Sequence, residues 1–126
     1  GFATEQQTRD AIRDTFKKSS YTMDPHTGVG KWVYDRYKEE TGDNRTALLV
    51  STASPFKFPG DVLQAIRGNR AGESIKDDLQ VLEQLSKVSG MDIPKPLQNL
   101  GDKFIRHTAG CEIDQMVDHV SSFMGL

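Results

Sequence analysis

The 126-residue chain has little of several features that define specialised classes of protein. Cys111 is the single cysteine, so no internal disulfide can form, which is typical of a reducing compartment. No apolar run approaches the roughly 20 residues needed to cross a bilayer. The net charge of −2 lacks the positive excess expected of a nucleic-acid-binding protein. These absences predict a cytoplasmic protein that binds neither membranes nor nucleic acid.

The composition is that of a folded domain with one core. Apolar residues make up 36% of the chain and charged residues 27%, which excludes a disordered tail. The chain begins at Gly1, without a starting Met or a leader, and runs directly into a helix signal. We therefore expect it to be a piece of a longer protein.

Capping residues and apolar periodicity predict about five helices. The first has Thr4 as its N-cap and Gln7 completing a capping box, with charged residues including Arg9 mostly outside the apolar face. The second begins at Asp24 and Pro25 and stops at Thr41-Gly42. The others are predicted over residues 60–67, 74–88 and 112–124, and the proline-containing stretch 91–102 is predicted to be a loop with at most a single turn.

One strand is predicted over residues 46–51, because apolar residues without alternation are typical of a strand buried on both faces. The predicted fold class is therefore α/β, dominated by helices. A single strand cannot form a sheet, since its backbone N–H and C=O groups need partners. Either a strand has been missed, or another part of a longer chain completes the sheet.

Hydroxyl side chains follow this predicted strand, at Ser51, Thr52 and Ser54, and Pro55 and Lys57 come next. Ligands of open α/β sheets bind outside the carboxyl ends of the strands, so the cluster is a candidate site. Ser, Thr and Pro also mark ordinary turns. The local sequence leaves both interpretations open, with the turn the more common.

The start of the second helix, Asp24-Pro25-His26-Thr27-Gly28-Val29-Gly30, is a second candidate. Free backbone N–H groups and the positive end of the helix dipole can hold a carboxylate or a phosphate. The glycines allow close approach of a ligand or of another backbone. A plain capped helix, with its glycines used for packing, explains the same residues.

No metal site is predicted. His107 and Cys111 are four residues apart and His119 lies eight further on, but Thr108-Ala109-Gly110 between the first two is a weak helix former. Zinc needs three or four converging donors. Two donors at this spacing occur often by chance.

The two candidate segments together resemble threonine synthase. The resemblance is carried by Tyr21-Thr22-Met23-Asp24-Pro25-His26-Thr27-Gly28-Val29-Gly30 and by the later Val50-Ser51-Thr52-Ala53-Ser54-Pro55-Phe56-Lys57-Phe58-Pro59. It implies the C-terminal part of a pyridoxal-phosphate-dependent lyase of fold type II, the tryptophan synthase β class. Residues 1–67 would end its catalytic α/β domain, and residues 68–126 would be a helical extension packing on it.

The resemblance also implies an activity and site residues. The family converts O-phospho-L-homoserine and water to L-threonine and phosphate. Thr52 would face the cofactor's ring nitrogen, with Ser51 beside it, and Asp24, His26 and Thr27 would border the substrate. Many members have His where this chain has Ser54, so Ser54 and Lys57 are assigned only to the site wall.

The family's Schiff-base lysine and glycine-rich phosphate loop lie upstream of the region that this chain resembles. We therefore predict that the chain alone has no catalytic residue, binds no pyridoxal phosphate and is inactive without the rest of its parent enzyme. An apolar stripe near its end could drive self-association of the fragment. Two other interpretations stay open: a non-catalytic helical interaction module and a small-anion-binding domain.

Overall fold

The computed structural model describes residues 1–68, 78–106 and 108–126. These residues form five α-helices and four short 3₁₀ turns, and none of them is in a β-strand. The α-helices are Glu5–Ser19 (α1), Pro25–Thr41 (α2), Pro59–Arg67 (α3), Asp78–Ser89 (α4) and Met116–Met124 (α5). The 3₁₀ turns are Pro55–Lys57, Lys95–Leu97, Leu100–Asp102 and Ile113–Gln115.

Local capping determines where the first helices begin and end. The Thr4 side chain accepts a hydrogen bond from the Gln7 backbone N–H, and the Gln7 side chain accepts one from the Thr4 N–H, which confirms the capping box. Asp24 caps α2, and Pro25 follows it in the first turn. Gly42 ends α2 in the left-handed conformation that glycine adopts at low cost.

The predicted strand is wrong, and with it the α/β fold class. Residues 46–51 have no regular structure and are exposed, with Leu48 88% and Val50 72% accessible. A strand needs a neighbour to pair with its N–H and C=O groups, and the described part of the chain offers none. The apolar run therefore crosses the surface of a helical domain instead of lying inside a sheet.

The core lies around α3, which packs against α1 on one side and α4 on the other. Val62 and Leu63 of α3 are fully buried, Ile12 of α1 is 1% exposed, and Leu85 of α4 is fully buried. Met23 and Phe56, from the two connections beside α2 and α3, complete the same cluster. Helices on both sides of residue 68 thus share one core, and the division into two domains at this point stays a prediction.

Two smaller sequence predictions are refined. The stretch 91–102 contains two 3₁₀ turns instead of at most one. The predicted last helix begins as the 3₁₀ turn at Ile113–Gln115 and becomes α-helical at Met116. Residues 74–77, the start of the predicted fourth helix, lie outside the described residues. None of the described helices is long and apolar enough to span a membrane.

The end of the chain carries an apolar stripe that is largely open to solvent. The stripe consists of Ile113, Met116, Val117, Val120, Phe123 and Met124, each at least half exposed. Its residues recur at helical spacing, and the main contact of α5 in the described structure is with the turn that precedes it. An exposed apolar patch of this kind is typical of a protein–protein contact.

We expect the 126-residue chain to self-associate through this stripe. Val117→Asp places a charge in the stripe and should shift the sedimentation of a concentrated sample towards the monomer. Ser122→Asp, on the same helix but away from the stripe, should leave the association unchanged. A wild-type chain that stays monomeric up to about millimolar concentration would contradict this expectation.

Candidate functional site

A buried carboxylate forms the centre of the candidate site. The Asp24 side chain is completely inaccessible to solvent. Its Oδ1 accepts hydrogen bonds from the His26 backbone N–H at 2.9 Å, from the Thr27 N–H at 3.4 Å and from the His26 Nδ1 at 3.1 Å. Its Oδ2 accepts from the hydroxyls of Thr27 and Ser51, the latter at 3.2 Å. Five donors thus compensate for the burial of the charge.

The contact with Ser51 joins the two sequence motifs. Asp24 and Thr27 belong to the first motif, and Ser51, more than 20 residues later, belongs to the second. The oxygens of Thr27 and Ser51 are also only 3.0 Å apart. Two hydroxyl protons can serve only two of the three oxygen–oxygen contacts in this triangle. Both hydroxyls are therefore positioned by the carboxylate, and so is the chain on either side of Ser51.

These donors lower the pKa of the Asp24 carboxyl below its ordinary value. Burial is the largest single influence and acts in the opposite direction, because it penalises the charged form. The hydrogen bond from the Thr27 hydroxyl and those from the backbone of His26 and Thr27 together outweigh it. Asp24 is accordingly ionised near neutral pH. Its carboxylate therefore acts only as an acceptor in this hydrogen-bond network.

The free backbone N–H groups in the first turn of α2 already have an acceptor within the protein. The N–H groups of His26 and Thr27 donate to Asp24, and a negative charge already stands at the helix start. These two N–H groups are therefore occupied and are not available to an anion at this helix end. Gly28 serves helix packing, since a Cβ there would lie 3.1 Å from Ile12 Cγ1 and 3.3 Å from the Thr8 carbonyl oxygen. A Cβ at Gly30 would meet nothing within 4 Å.

The remaining predicted site residues have different environments. Thr52 is exposed, and its hydroxyl has no hydrogen-bond partner in the described part of the chain. Ser54 caps the turn at Pro55–Lys57, where its hydroxyl accepts from the Phe56 N–H at 3.2 Å. The Lys57 ammonium lies 5.6 Å from the centroid of its neighbour's ring, Phe58. Of these residues, only Thr52 has a hydroxyl that makes no hydrogen bond within the described part of the chain.

His26 links the buried network to solvent. Its side chain is 70% exposed, although its Nδ1 contacts a carboxylate that is fully buried. The Phe58 ring, from the second motif, lies 5.2 Å from the imidazole at an interplanar angle of 60°. His26 also lines a cavity of about 320 Å³ between α1, the start of α2 and α3. The charged residues of this cavity are Glu5, Arg9 and Asp61.

Arg9 and Phe58 are two further neighbours of the site, and the sequence did not indicate either contact. Arg9 was predicted on the solvent side of α1, but its side chain is only 13% exposed. It donates to the Gln64 side chain at 2.8 Å and pairs with Asp61 at 3.4 Å, both on α3. No local signal indicates this, because the partners lie more than 50 residues away. Phe58 belongs to the second motif, but its contact with His26 depends on the fold.

Metal-ligand residues do not gather in the described structure. No group of three or more His, Cys, Asp or Glu side chains there could hold an ion. Cys111 is exposed, and His119 is exposed on α5. His107 lies outside the described residues, so the spacing of the three candidates remains a sequence observation.

Comparison with known proteins points to the same family as the two motifs. No family model matches the chain. Over 81 residues, 64% of this chain, it is 32% identical to a Homo sapiens protein named threonine synthase-like 1 and 30% identical to its Mus musculus counterpart. Over 56 residues, 44% of this chain, it is 39% identical to threonine synthase of Schizosaccharomyces pombe.

The matched stretch is a small part of each relative. It covers 10% of threonine synthase-like 1 and 11% of the Schizosaccharomyces pombe threonine synthase. The chain therefore spans about a tenth of the length of the curated relatives it matches. The resemblance predicted from the two motifs is confirmed at this level: the chain is partially homologous to threonine synthase and to threonine synthase-like 1.

Proposed function

We propose that this chain forms part of a pyridoxal-phosphate-dependent threonine synthase, which converts O-phospho-L-homoserine and water to L-threonine and phosphate. In this proposal the chain contributes one wall of the active site and the hydroxyl that meets the cofactor's ring nitrogen. The observation that carries it is the hydrogen bond between Ser51 and the buried Asp24, which joins the two family-like motifs. That bond ties the Ser51 side chain, immediately before Thr52, to the start of α2.

Thr52 fits the role of partner to the ring nitrogen. Its hydroxyl is exposed and lacks a partner in the described residues, so it is free to donate to, or accept from, a group outside them. A neutral hydroxyl does not hold a pyridine nitrogen protonated as a carboxylate would. Bound pyridoxal phosphate supplies an electron sink for this chemistry, and the protein orients it and tunes its ring.

The other residues of the cluster keep Thr52 in place. Asp24 and Thr27 hold the hydroxyl of Ser51, and Ser54 and Pro55 begin the turn that follows. Pro55 and Phe56 are buried, which anchors the chain on the far side of Thr52. A hydroxyl between two anchored points loses little freedom when it binds, and preorganisation of this kind favours catalysis.

The chain alone is proposed to be inactive. Its homology to threonine synthase extends over only about a tenth of that enzyme. The reaction needs a lysine to hold the cofactor and a cradle for its phosphate, and neither is recognisable in these 126 residues. The interaction-module alternative is supported by the exposed stripe on α5, which is suited to a protein partner.

A segment exchange tests the proposed function. In Schizosaccharomyces pombe threonine synthase, the 56-residue stretch that matches this chain would be replaced by the corresponding residues of this chain. We expect the purified chimera to bind pyridoxal phosphate and to release phosphate from O-phospho-L-homoserine, whereas the 126-residue chain alone releases none. A chimera that folds and binds the cofactor but has no turnover would favour the interaction module.

A further inference from the structure

We propose that Asp24 and His26 form a proton-transfer pair, in which Asp24 positions the imidazole and the His26 Nε2 exchanges a proton with the reacting groups. This proposal rests on the function proposed above and assigns a proton carrier to the same site. The two side chains of the pair differ in exposure: the Asp24 carboxylate is fully buried, and the His26 imidazole is 70% exposed.

The geometry determines which nitrogen carries the proton. An ionised carboxylate can only accept, so the contact of 3.1 Å between Asp24 Oδ1 and His26 Nδ1 requires a hydrogen on Nδ1. In the neutral imidazole the lone pair is then on Nε2. A histidine held in this way by a carboxylate is suited to act as a general base and then as a general acid.

Two contacts connect this histidine with residues of the second motif. The Phe58 ring lies 5.2 Å from the imidazole. The same Asp24 carboxylate holds Ser51, which precedes the proposed cofactor contact at Thr52. Glu5, Arg9 and Asp61 line the cavity that His26 borders, and Arg9 and Asp61 are paired with each other. The cavity of about 320 Å³ provides room beside the imidazole for a small molecule.

The proposed step is balanced without another reactant. Loss of phosphate leaves a carbon–carbon double bond in the substrate. The Nε2 lone pair takes one proton from the water that the reaction consumes, as the oxygen of that water bonds to one carbon of the double bond and the π electrons move to the neighbouring carbon. The proton on Nδ1 remains hydrogen-bonded to Asp24 throughout. The imidazolium then returns the proton from Nε2 to that neighbouring carbon, so the pair ends in its starting state. Asp24 is thus a positioning residue, and His26 is the residue proposed to contact the reacting groups.

The tautomer can be measured on the 126-residue chain alone. Long-range ¹H–¹⁵N correlation spectra distinguish the two ring nitrogens, and loss of the signals in His26→Gln assigns them. We expect the Nδ1–H form at His26, and a smaller share of it in Asp24→Asn, in which a neutral amide replaces the carboxylate. His119, exposed on α5, is the internal control for an unconstrained histidine. A predominant Nε2–H form at His26 would overturn the proposal.

The proton carrier is tested in the whole threonine synthase that contains this chain. His26→Ala should lower kcat by about 10²-fold or more, and added imidazole should restore part of the lost rate. His119→Ala should retain normal turnover. Full activity of His26→Ala, or a loss that imidazole does not restore, would refute proton transfer by this residue.

These outcomes are separable from failure of the function itself. If Thr52→Ala and His26→Ala both leave threonine formation unchanged, the proposed active-site wall is wrong as well as the pair. If Thr52→Ala lowers kcat by about 10²-fold and His26→Ala leaves it unchanged, the pair alone is wrong.

Discussion

Replacing Asp24 by alanine is expected to lower the free energy of unfolding of the chain by about 3 kcal/mol. The substitution removes the N-cap of α2, which typically costs about 1 kcal/mol. It also removes the charged acceptor of partly buried donors on His26, Thr27 and Ser51, and a hydrogen bond to a charged group contributes about 1.5–3 kcal/mol. Urea unfolding followed by circular dichroism measures the change.

Matched variants separate the charge of Asp24 from its capping role. Asp24→Asn keeps a side-chain oxygen at the cap and should cost less than alanine, since Asn caps helices nearly as well. Asp118→Ala, at an exposed position on α5, should change stability by less than about 0.5 kcal/mol. An Asp24→Ala variant as stable as Asp118→Ala would show that the network contributes nothing to folding.

The lowered pKa of Asp24 also predicts the sign of a pH effect. Its folded pKa lies below its unfolded value of about 3.9, so the native state favours the ionised form. The ionised Asp24 carboxylate contributes its full stabilisation of the native state above the pKa that this group has in the unfolded chain. That contribution is lost as the pH falls through the pKa of Asp24 in the folded chain. The stability difference between wild type and Asp24→Asn should therefore narrow below about pH 4.

In the threonine synthase to which we propose that this chain belongs, replacing Thr52 by alanine is expected to lower kcat by about 10²-fold, the scale of losing one positioned hydrogen bond at a reacting system. Thr52→Ser keeps the hydroxyl and should retain most of the activity. Stability should change by less than about 0.5 kcal/mol, because the side chain is exposed and its hydroxyl has no partner in the described residues.

The control for Thr52 is Thr108→Ala, an exposed threonine outside both motifs. It should leave both turnover and the absorbance of the bound cofactor unchanged. In Thr52→Ala, by contrast, the absorbance should shift, since the hydroxyl is proposed to meet the ring nitrogen. Full activity of Thr52→Ala with an unchanged cofactor spectrum would contradict the assignment of Thr52.

Local features of the helices were predictable from sequence because short-range hydrogen bonds determine them. Thr4 with Gln7 and Asp24 with Pro25 mark the starts of α1 and α2, and Gly42 marks the end of α2. Each signal acts over three or four residues, so no distant part of the chain is needed to interpret it. The two motifs likewise indicated the family to which the chain is partially homologous.

The candidate site was only partly predictable, because its decisive contacts join residues that are distant in the sequence. The sequence identified Asp24, His26 and Ser51 separately, and it left open whether each belonged to a cap, a turn or a site. The contact of Ser51 with Asp24 and the ring contact of Phe58 with His26 join residues that lie far apart in the chain. Only packing of the helices brings such groups within hydrogen-bond or ring-contact distance.

The sequence by itself determined the starts of α1 and α2, the predominance of helix and the partial homology, since these depend on local caps, periodicity and residue identity. The tertiary structure decided that residues 46–51 are an exposed connection, that Arg9 pairs with α3, and that one buried carboxylate joins the two motifs. Strand formation and charge burial depend on non-local partners. An apolar run such as Leu48-Leu49-Val50 therefore cannot indicate from its own residues whether a partner is present.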